Sequence, residues 1–289
     1  MFLCSAAIES HYRFPANNIS PEGRVFNKMN KTISLVIPVY NEEKRIIKTV
    51  TALRNAVFPQ TLNLEKIIFV NDGSTDNTLE LLYKFSNDVA EDTGTPVEIV
   101  TYAENKGKGY AIKTGMSYSN SDYTLFFDAD MATPLSELEK FIPYMNENKA
   151  VIIGTRKNGE STVIDHQPRY RELLGRAFTL LSQLMLNTWV TDFTCGFKAF
   201  SREARVDIFS RSNINRWGYD SEIIFLARKL GYSMVEKSVL WSDDKNTKVK
   251  LFKAIFTSLS ELMRIRIYYL IGSYELGIKK FGVFKRAYS

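Results

Sequence analysis

Between Ile33 and Phe127, short β-rich apolar runs alternate with segments whose apolar residues recur at helical spacing. The runs are Ile33–Ile37 (ISLVI), Ile67–Val70, Val97–Thr101 and Tyr123–Phe127. Between them lie Glu42–Ala56, with Ile46, Ile47, Val50 and Leu53 on one face, then Asp76–Phe85 and Lys108–Ser117. Few folds satisfy such an alternation. Strands apolar at every position need cover on both faces, and helices inserted between consecutive strands provide it. The pattern therefore predicts an α/β fold on a mostly parallel sheet flanked by helices. Such sheets bind ligands beyond the carboxyl ends of their strands. Each run is followed there by a polar segment: PVYNEE (Pro38–Glu43), NDGSTD (Asn71–Asp76), ENKGKGYA (Glu104–Ala111) and DADMATP (Asp128–Pro134). The fold gathers all four at one edge.

Asp128 and Asp130 are the most informative pair. Two carboxylates two residues apart at a strand end, with no Lys or Arg beside them in sequence, repel each other. A divalent cation carrying a diphosphate relieves that repulsion, since Mg²⁺ or Mn²⁺ takes one or two carboxylates plus phosphate oxygens. The alternatives are a polar loop, or a phosphatase motif of the DxDx[TV] type, which Ala132 at the fifth position weakens. Asp72, directly after a strand, is placed to accept hydrogen bonds from a base or ribose, while Ser74, Thr75 and Asp76 suit a turn and helix cap. In ENKGKGYA a glycine turn enters a helix, where backbone amides with Lys106 or Lys108 would face phosphate. A flexible turn is the other reading, and the spacing excludes a P-loop.

Composition removes other chemistries. Two distant Cys (Cys4, Cys195) cannot make a zinc site and argue for a reducing compartment, and two His (His11, His166) argue against a His-centred triad or a multi-His metal site. Cys195 is expected to be a buried small apolar residue. His166 falls in a polar stretch, Lys157–Pro168, that reads as a loop over the site. Trp189 and Trp241 read as packing residues, and Trp217 as either packing or a platform for sugar or acceptor.

Taken together, VIPVYNEE, VNDGSTDNT and FFDADMATP, followed by GTR (Gly154–Arg156), TDFTCGFKAF (Thr191–Phe200), RWGYDSEII (Arg216–Ile224) and VLWSDD (Val239–Asp244), resemble the family 2 glycosyltransferases of the GT-A fold. The later motifs look like the dolichyl- and polyprenyl-phosphate sugar synthases, in particular the dolichyl-phosphate glucosyltransferase-like members. The resemblance covers about residues 31–250. It implies that Pro38, Tyr40, Glu42 and Asp72 line the base and ribose of a nucleotide-sugar donor, and that Lys108 and Gly109 border its uridine or phosphate. It further implies that Asp130 ligates Mg²⁺ or Mn²⁺ with Asp128 completing the acidic pair, and that Arg156 and Arg171 hold an acceptor phosphate. Relatives often carry Ser four residues after the second Arg, where this chain has Gly175.

The implied reaction is displacement at the anomeric carbon with inversion, moving a hexose, expected to be glucose from UDP-glucose, to a polyprenyl phosphate. A lipid phosphate is ionised at neutral pH and attacks directly, whereas a hydroxyl on a glycan or protein needs a carboxylate base. Asp220 and Asp192 are the candidates for that base. Asp220 reads equally as a helix cap. A non-catalytic nucleotide-sugar-binding or scaffold protein is the alternative of another class.

The net charge of +6 is unevenly spread: from Lys245 to Ser289 ten Lys/Arg face two Glu. A near-neutral domain with a basic tail excludes a nucleic-acid-coating protein. The sequence divides into an irregular arm (1–30), with Met29 a candidate start, a catalytic domain (31–248) and a basic amphipathic helical tail (249–289). In the tail Phe252, Ile255, Phe256, Leu259, Leu262 and Met263 fall at helical spacing among Lys250, Lys253, Arg264 and Arg266. Such a helix either packs on the domain or lies on anionic lipid. No secretory signal or spanning run is present. A cytoplasmic protein, peripheral at the inner face of the membrane, is expected.

Overall fold

The computed structural model describes residues 30–157, 169–242 and 251–276, with backbone alone for 169–173, 251–256 and 258. Most of the N-terminal arm with Cys4 and His11, the loop with His166, and the basic segments at 243–250 and 277–289 lie outside the described residues.

The four predicted strands form with their inserted helices. They are β1 (Lys31–Val39), β2 (Leu62–Asp72), β3 (Val97–Tyr102) and β4 (Tyr123–Phe127), joined by α1 (Ile46–Arg54), α2 (Thr78–Thr93) and α3 (Lys108–Ser117). A 3-10 helix (Leu135–Phe141) and α4 (Ile142–Asn146) lead to β5 (Val151–Thr155) and α5 (Arg169–Leu186). The chain continues through β6 (Phe197–Ser201), α6 (Arg202–Arg211), α7 (Tyr219–Lys229), β7 (Met234–Ser238) and α8 (Leu251–Leu270).

The strands form one seven-stranded sheet in the order β3-β2-β1-β4-β6-β5-β7. All pairings are parallel except those of β6, which runs antiparallel to both β4 and β5. After β1 the chain moves outward to β2 and β3, then returns to add β4 on the other side of β1. A crevice therefore opens at the carboxyl ends of β1 and β4. Because β6 is reversed, its entry segment (191–196) reaches this same edge.

The continuous apolar runs have the expected cause. Ile33, Leu35, Val36 and Ile37 of β1 are all fully buried. Val36, Ile68, Val70 and Phe126 face one core with residues of α3, α6 and α7. Leu35, Ile37, Phe69 and Leu125 face the other with residues of α1 and α2.

In α8 the apolar residues divide. Leu262 and Ile265 are fully buried in the first core, and the helix packs on α5 and α7. Met263, Ile267 and Leu270 are exposed. Among the described residues, no helix is long and apolar enough to cross a membrane.

Candidate active site

Asp128 and Asp130 follow β4 at the crevice, and the strand end is pinned from α1. Lys48 Nζ donates to the Asp130 carbonyl at 3.0 Å, and Thr49 Oγ1 donates to the Ala129 carbonyl. Met131 then takes a left-handed conformation (φ 56°), uncommon for a residue with a side chain and a form of strain that clusters at functional sites. The turn closes through Ala132 N donating to Asp130 Oδ1 at 3.0 Å.

Burial, and then the neighbouring Asp128, push the Asp130 carboxyl above its ordinary value. Two carboxylates stand together at the strand end, in place for a cation. Among the described residues no three His, Cys, Asp or Glu side chains converge to hold a metal. The pair thus offers part of a coordination sphere, as suits Mg²⁺ or Mn²⁺ arriving with phosphate oxygens.

Lys108 reaches into this acidic pair from the first turn of α3, with Nζ 2.6 Å from Asp128 Oδ1. Burial alone would lower its pKa, but Asp128, Asp220 and Asp130 hold the ammonium above its ordinary value. A Cβ on Gly196, in the entry to β6, would lie 2.2–2.5 Å from the Asp128 carboxylate atoms. Only glycine lets that segment pass beneath Asp128.

The loops after β1 and β2 are stitched together. Asn41 N donates to Ser74 Oγ (2.9 Å), Glu42 N to Thr78 Oγ1 (2.7 Å) and Glu43 N to Asp76 Oδ2 (3.3 Å). Ser74 and Asp76 therefore brace the neighbouring loop, and the α2 cap residue, Asn77, makes no side-chain capping bond. Pro38 ends within β1, Tyr40 is exposed at the crevice, and the Glu42 carboxylate is ion-paired to Arg45 at 2.5 Å.

Two expectations for the nucleotide loops need correction. The Asp72 carboxylate is 3% exposed. It accepts from Tyr102 Oη (2.8 Å), Asn105 Nδ2 (2.8 Å), Lys106 N (2.8 Å) and Gly107 N (2.9 Å), so its lone pairs are spent on shaping the β3–α3 loop and not offered to a ribose. Nor is the glycine turn an open phosphate cradle. Segment 214–215 crosses over it, and Tyr110 N donates to the Asn215 carbonyl at 3.1 Å. A Cβ on Gly109 would lie 2.7 Å from the Ile214 carbonyl oxygen and 2.6 Å from Tyr219 Cβ. Gly109 serves close packing. It is Lys108, between the two glycines, that points into the site.

Beyond β5, Arg156 meets Asp192. Nε donates to Oδ2 at 2.7 Å, Nη2 to Oδ1 at 2.9 Å, and the backbone N to Oδ2 at 3.2 Å. Asp192 is fully buried. Burial would raise its carboxyl, yet Arg156, followed by Lys157, holds it well below the usual carboxylate range. Such a group is a poor base; it fixes Arg156. Glu236 of β7 in turn accepts from Thr191 N (2.8 Å) and Asp192 N (3.2 Å). The Trp241 ring lies 5.2 Å from the guanidinium carbon, so Trp241 packs on Arg156 and not in a core. Arg171 lies in the first turn of α5, and its side chain is outside the described residues.

Asp220 occupies the first turn of α7, where Gly218 is the cap residue. It does not cap the helix. Its Oδ1 is 2.5 Å from Nζ of Lys198, a residue of β6 with no exposed surface. Sequence reasoning passed over Lys198. The available signal was a lysine inside the apolar run CGFKAF, since lysine is almost never fully buried unless paired.

Cys195 is buried and free, its thiol pushed up to about 12 by burial. Trp189 and Trp217 are 65% and 51% exposed, which removes the packing role expected of Trp189. Glu222 of α7 accepts from Asn213 N (2.9 Å), Ile214 N (2.9 Å) and Tyr274 Oη (2.8 Å), tying the segment after α8 to the strap over the glycine turn.

The sequence pattern described as Glycosyl transferase family 2 matches residues 34–209. A dolichyl-phosphate beta-glucosyltransferase of Homo sapiens is 29% identical over 262 residues, covering 87% of this chain and 80% of the relative. One from Trichomonas vaginalis is 30% identical over 279 residues, covering 92% and 84%. Among solved structures, glucosyl-3-phosphoglycerate synthase from Mycobacterium tuberculosis, in complex with Mn²⁺, UDP and glucosyl-3-phosphoglycerate, superposes with a TM-score of 0.60 at 19% identity, covering 88% of this chain and 86% of that one. A Pyrobaculum calidifontis mannosyltransferase in complex with GDP-Man and Mn²⁺ gives 0.58 at 15% identity, covering 86% and 70%. Both have the predicted α/β architecture.

Proposed function

The chain belongs to glycosyl transferase family 2 and is a glycosyltransferase; on that premise we propose that it transfers glucose, with inversion, from UDP-glucose to a polyprenyl or dolichyl phosphate at a membrane surface. Glucose and dolichyl phosphate are the substrates in the names of its curated relatives, and UDP is the nucleotide in the mycobacterial complex.

One observation carries the choice of acceptor. The two carboxylates first considered as bases are already committed to cations, Asp192 to Arg156 and Asp220 to Lys198, and Glu42 is paired to Arg45. A hydroxyl acceptor needs one of them as a base, whereas a phosphate acceptor arrives ionised.

In this reading Asp128 and Asp130 hold Mg²⁺ or Mn²⁺, which when bound offsets the negative charge of the diphosphate. Pro38, Tyr40 and Glu42 border the donor's base and ribose from the strapped loops. Lys108 donates to the oxygen that departs with the nucleotide, a fixed cation placed where charge develops. Arg156, its Nε and Nη2 locked by Asp192, presents its outer edge to the acceptor phosphate, with Arg171 as the second cation. The phosphate oxygen attacks the anomeric carbon from the side opposite the leaving diphosphate.

Support for a membrane surface comes from α5 and α8, which pack together. Their outward faces expose Leu180, Leu181 and Leu184 on one helix and Met263, Ile267 and Leu270 on the other. In α5 Thr179 and Ser182 are buried while Leu180, Leu181 and Leu184 face out, an exposed apolar patch of the kind that marks an interaction surface.

The test incubates protein, Mn²⁺ and radiolabelled UDP-glucose with farnesyl phosphate, farnesol or a soluble glycan. Label entering the organic phase only with farnesyl phosphate supports the reading. Label entering the glycan and no lipid would transfer the assignment to a hydroxyl acceptor.

A further inference from the structure

Lys198 is buried without exposed surface, and its Nζ donates to Asp220 Oδ1 at 2.5 Å and to the Cys195 carbonyl at 2.6 Å. The ammonium also stands 5.4 Å from the centre of the Phe126 ring. Withdrawing both ions from water is costly, and apolar residues often replace such a pair with no loss of stability. The fold therefore does not by itself require this pair. What distinguishes the pair is its place: Asp220 is 6% exposed and within electrostatic reach of Lys108 and Asp128.

An Asp at the start of a helix, in a buried site next to the reacting groups, has the attributes of a general base. Burial raises the Asp220 carboxyl above its ordinary value, with Lys198 and Lys108 acting against that rise. The charged or titratable groups facing it are Lys198 from β6, Lys108 from α3, Asp128 at the end of β4 and Tyr219 beside it on α7.

We infer that Lys198 is a positioning residue that sets acceptor specificity: by holding Oδ1 of Asp220 it weakens that carboxylate as a base and reserves the site for acceptors that arrive ionised. The inference rests on the phosphate-acceptor reading above. Removing Lys198 opens a second reaction. A hydroxyl oxygen bonds to the anomeric carbon, its proton passes to Asp220, and the bond to the diphosphate oxygen breaks with its electron pair leaving on the nucleotide. Water in place of the alcohol yields free glucose.

The test compares full-length wild type, Lys198→Met, Lys198→Gln and the double variant Lys198→Met/Asp220→Asn. Each is given UDP-glucose and Mn²⁺ with water alone, with farnesol, or with farnesyl phosphate. General base catalysis is worth about 10²–10⁴-fold, so Lys198→Met is expected to release glucose or glucosylate farnesol at least about tenfold faster than wild type. The gain should rise with pH as Asp220 loses its proton, and the double variant should return to the wild-type background. A folded Lys198→Met with no gain, or a gain that survives Asp220→Asn, overturns the inference. Should the Met variant not fold, Lys198→Gln, which keeps a donor and drops the charge, is judged by the same two criteria. Wild-type transfer to farnesyl phosphate is read in parallel. Its absence refutes the acceptor assignment, whereas its presence without a gain in the Lys198 variants refutes this inference alone.

Discussion

Replacing Asp192 with Asn tests how Arg156 is held. The carboxylate is fully buried and accepts from Arg156 at 2.7, 2.9 and 3.2 Å. Asn keeps the shape but offers one acceptor oxygen, so its amide nitrogen must face a guanidinium N–H. Breaking a buried pair by altering one partner costs about 3–5 kcal/mol. Arg156 retains 20% side-chain exposure and so some water, which places this case near the lower end, at about 3 kcal/mol. In a domain of this size each kcal/mol lowers the melting temperature by about 2–4 °C, giving an expected loss of roughly 6–12 °C at pH 7.

The pH dependence follows from the depressed Asp192 pKa. The pair's contribution is complete above the unfolded value of about 3.9 and fades as pH falls through it toward the native one, so the gap between wild type and variant narrows below about pH 4. Kinetics separate positioning from stability. The KM for farnesyl phosphate should rise at least about tenfold, equivalent to about 1.4 kcal/mol, while the KM for UDP-glucose stays within twofold. Calorimetry and steady-state assays of the purified variant give both numbers. A variant that melts within about 1 °C of wild type and keeps the acceptor KM would refute the reasoning.

Asp130→Asn should abolish transfer while the unliganded protein melts no lower than wild type, because the two carboxylates repel in the absence of a cation. Mn²⁺ should raise the wild-type melting temperature and leave the variant unchanged; an equal rise in both would remove the metal assignment. In Gly196→Ala the new methyl meets the Asp128 carboxylate, so activity should fall by at least about 10²-fold with circular dichroism preserved. Wild-type rates there would mean that the crossing is loose. Leu184→Glu combined with Ile267→Glu should weaken co-sedimentation with anionic vesicles without changing the melt, and unaltered sedimentation would return this face to solvent.

The first half of the chain was legible because its physics is local. Each strand from β1 to β4 carries an apolar run followed by a polar segment, and each observed strand contains the predicted one. The sheet's second half was not. The reversed β6 between β4 and β5 is set by the order in which strands dock, and a five-residue run such as FKAFS reads the same in either direction. At the site, residue type was legible and partnership was not. By type and place in the sequence Asp72 suits a base or ribose, Asp192 a general base, and Asp220 either a base or a helix cap, yet each is spoken for by a residue distant in sequence: Asp72 by Asn105 and Tyr102, Asp192 by Arg156, Asp220 by Lys198. Spacing along a chain reports which face a side chain takes, not which cation the opposite element brings to it. Gly109 misled for the same reason, since the segment that crosses it comes from beyond β6.

The central claim is that glucose passes with inversion to an ionised lipid phosphate. Its most direct test is NMR of the product formed from UDP-glucose, whose sugar is α-linked, and farnesyl phosphate in the presence of Mn²⁺. The account predicts one new phosphodiester resonance, with an anomeric proton showing both phosphorus coupling and the large coupling of a β-linked glucose. An α-linked product, or an anomeric proton without phosphorus coupling, would contradict it.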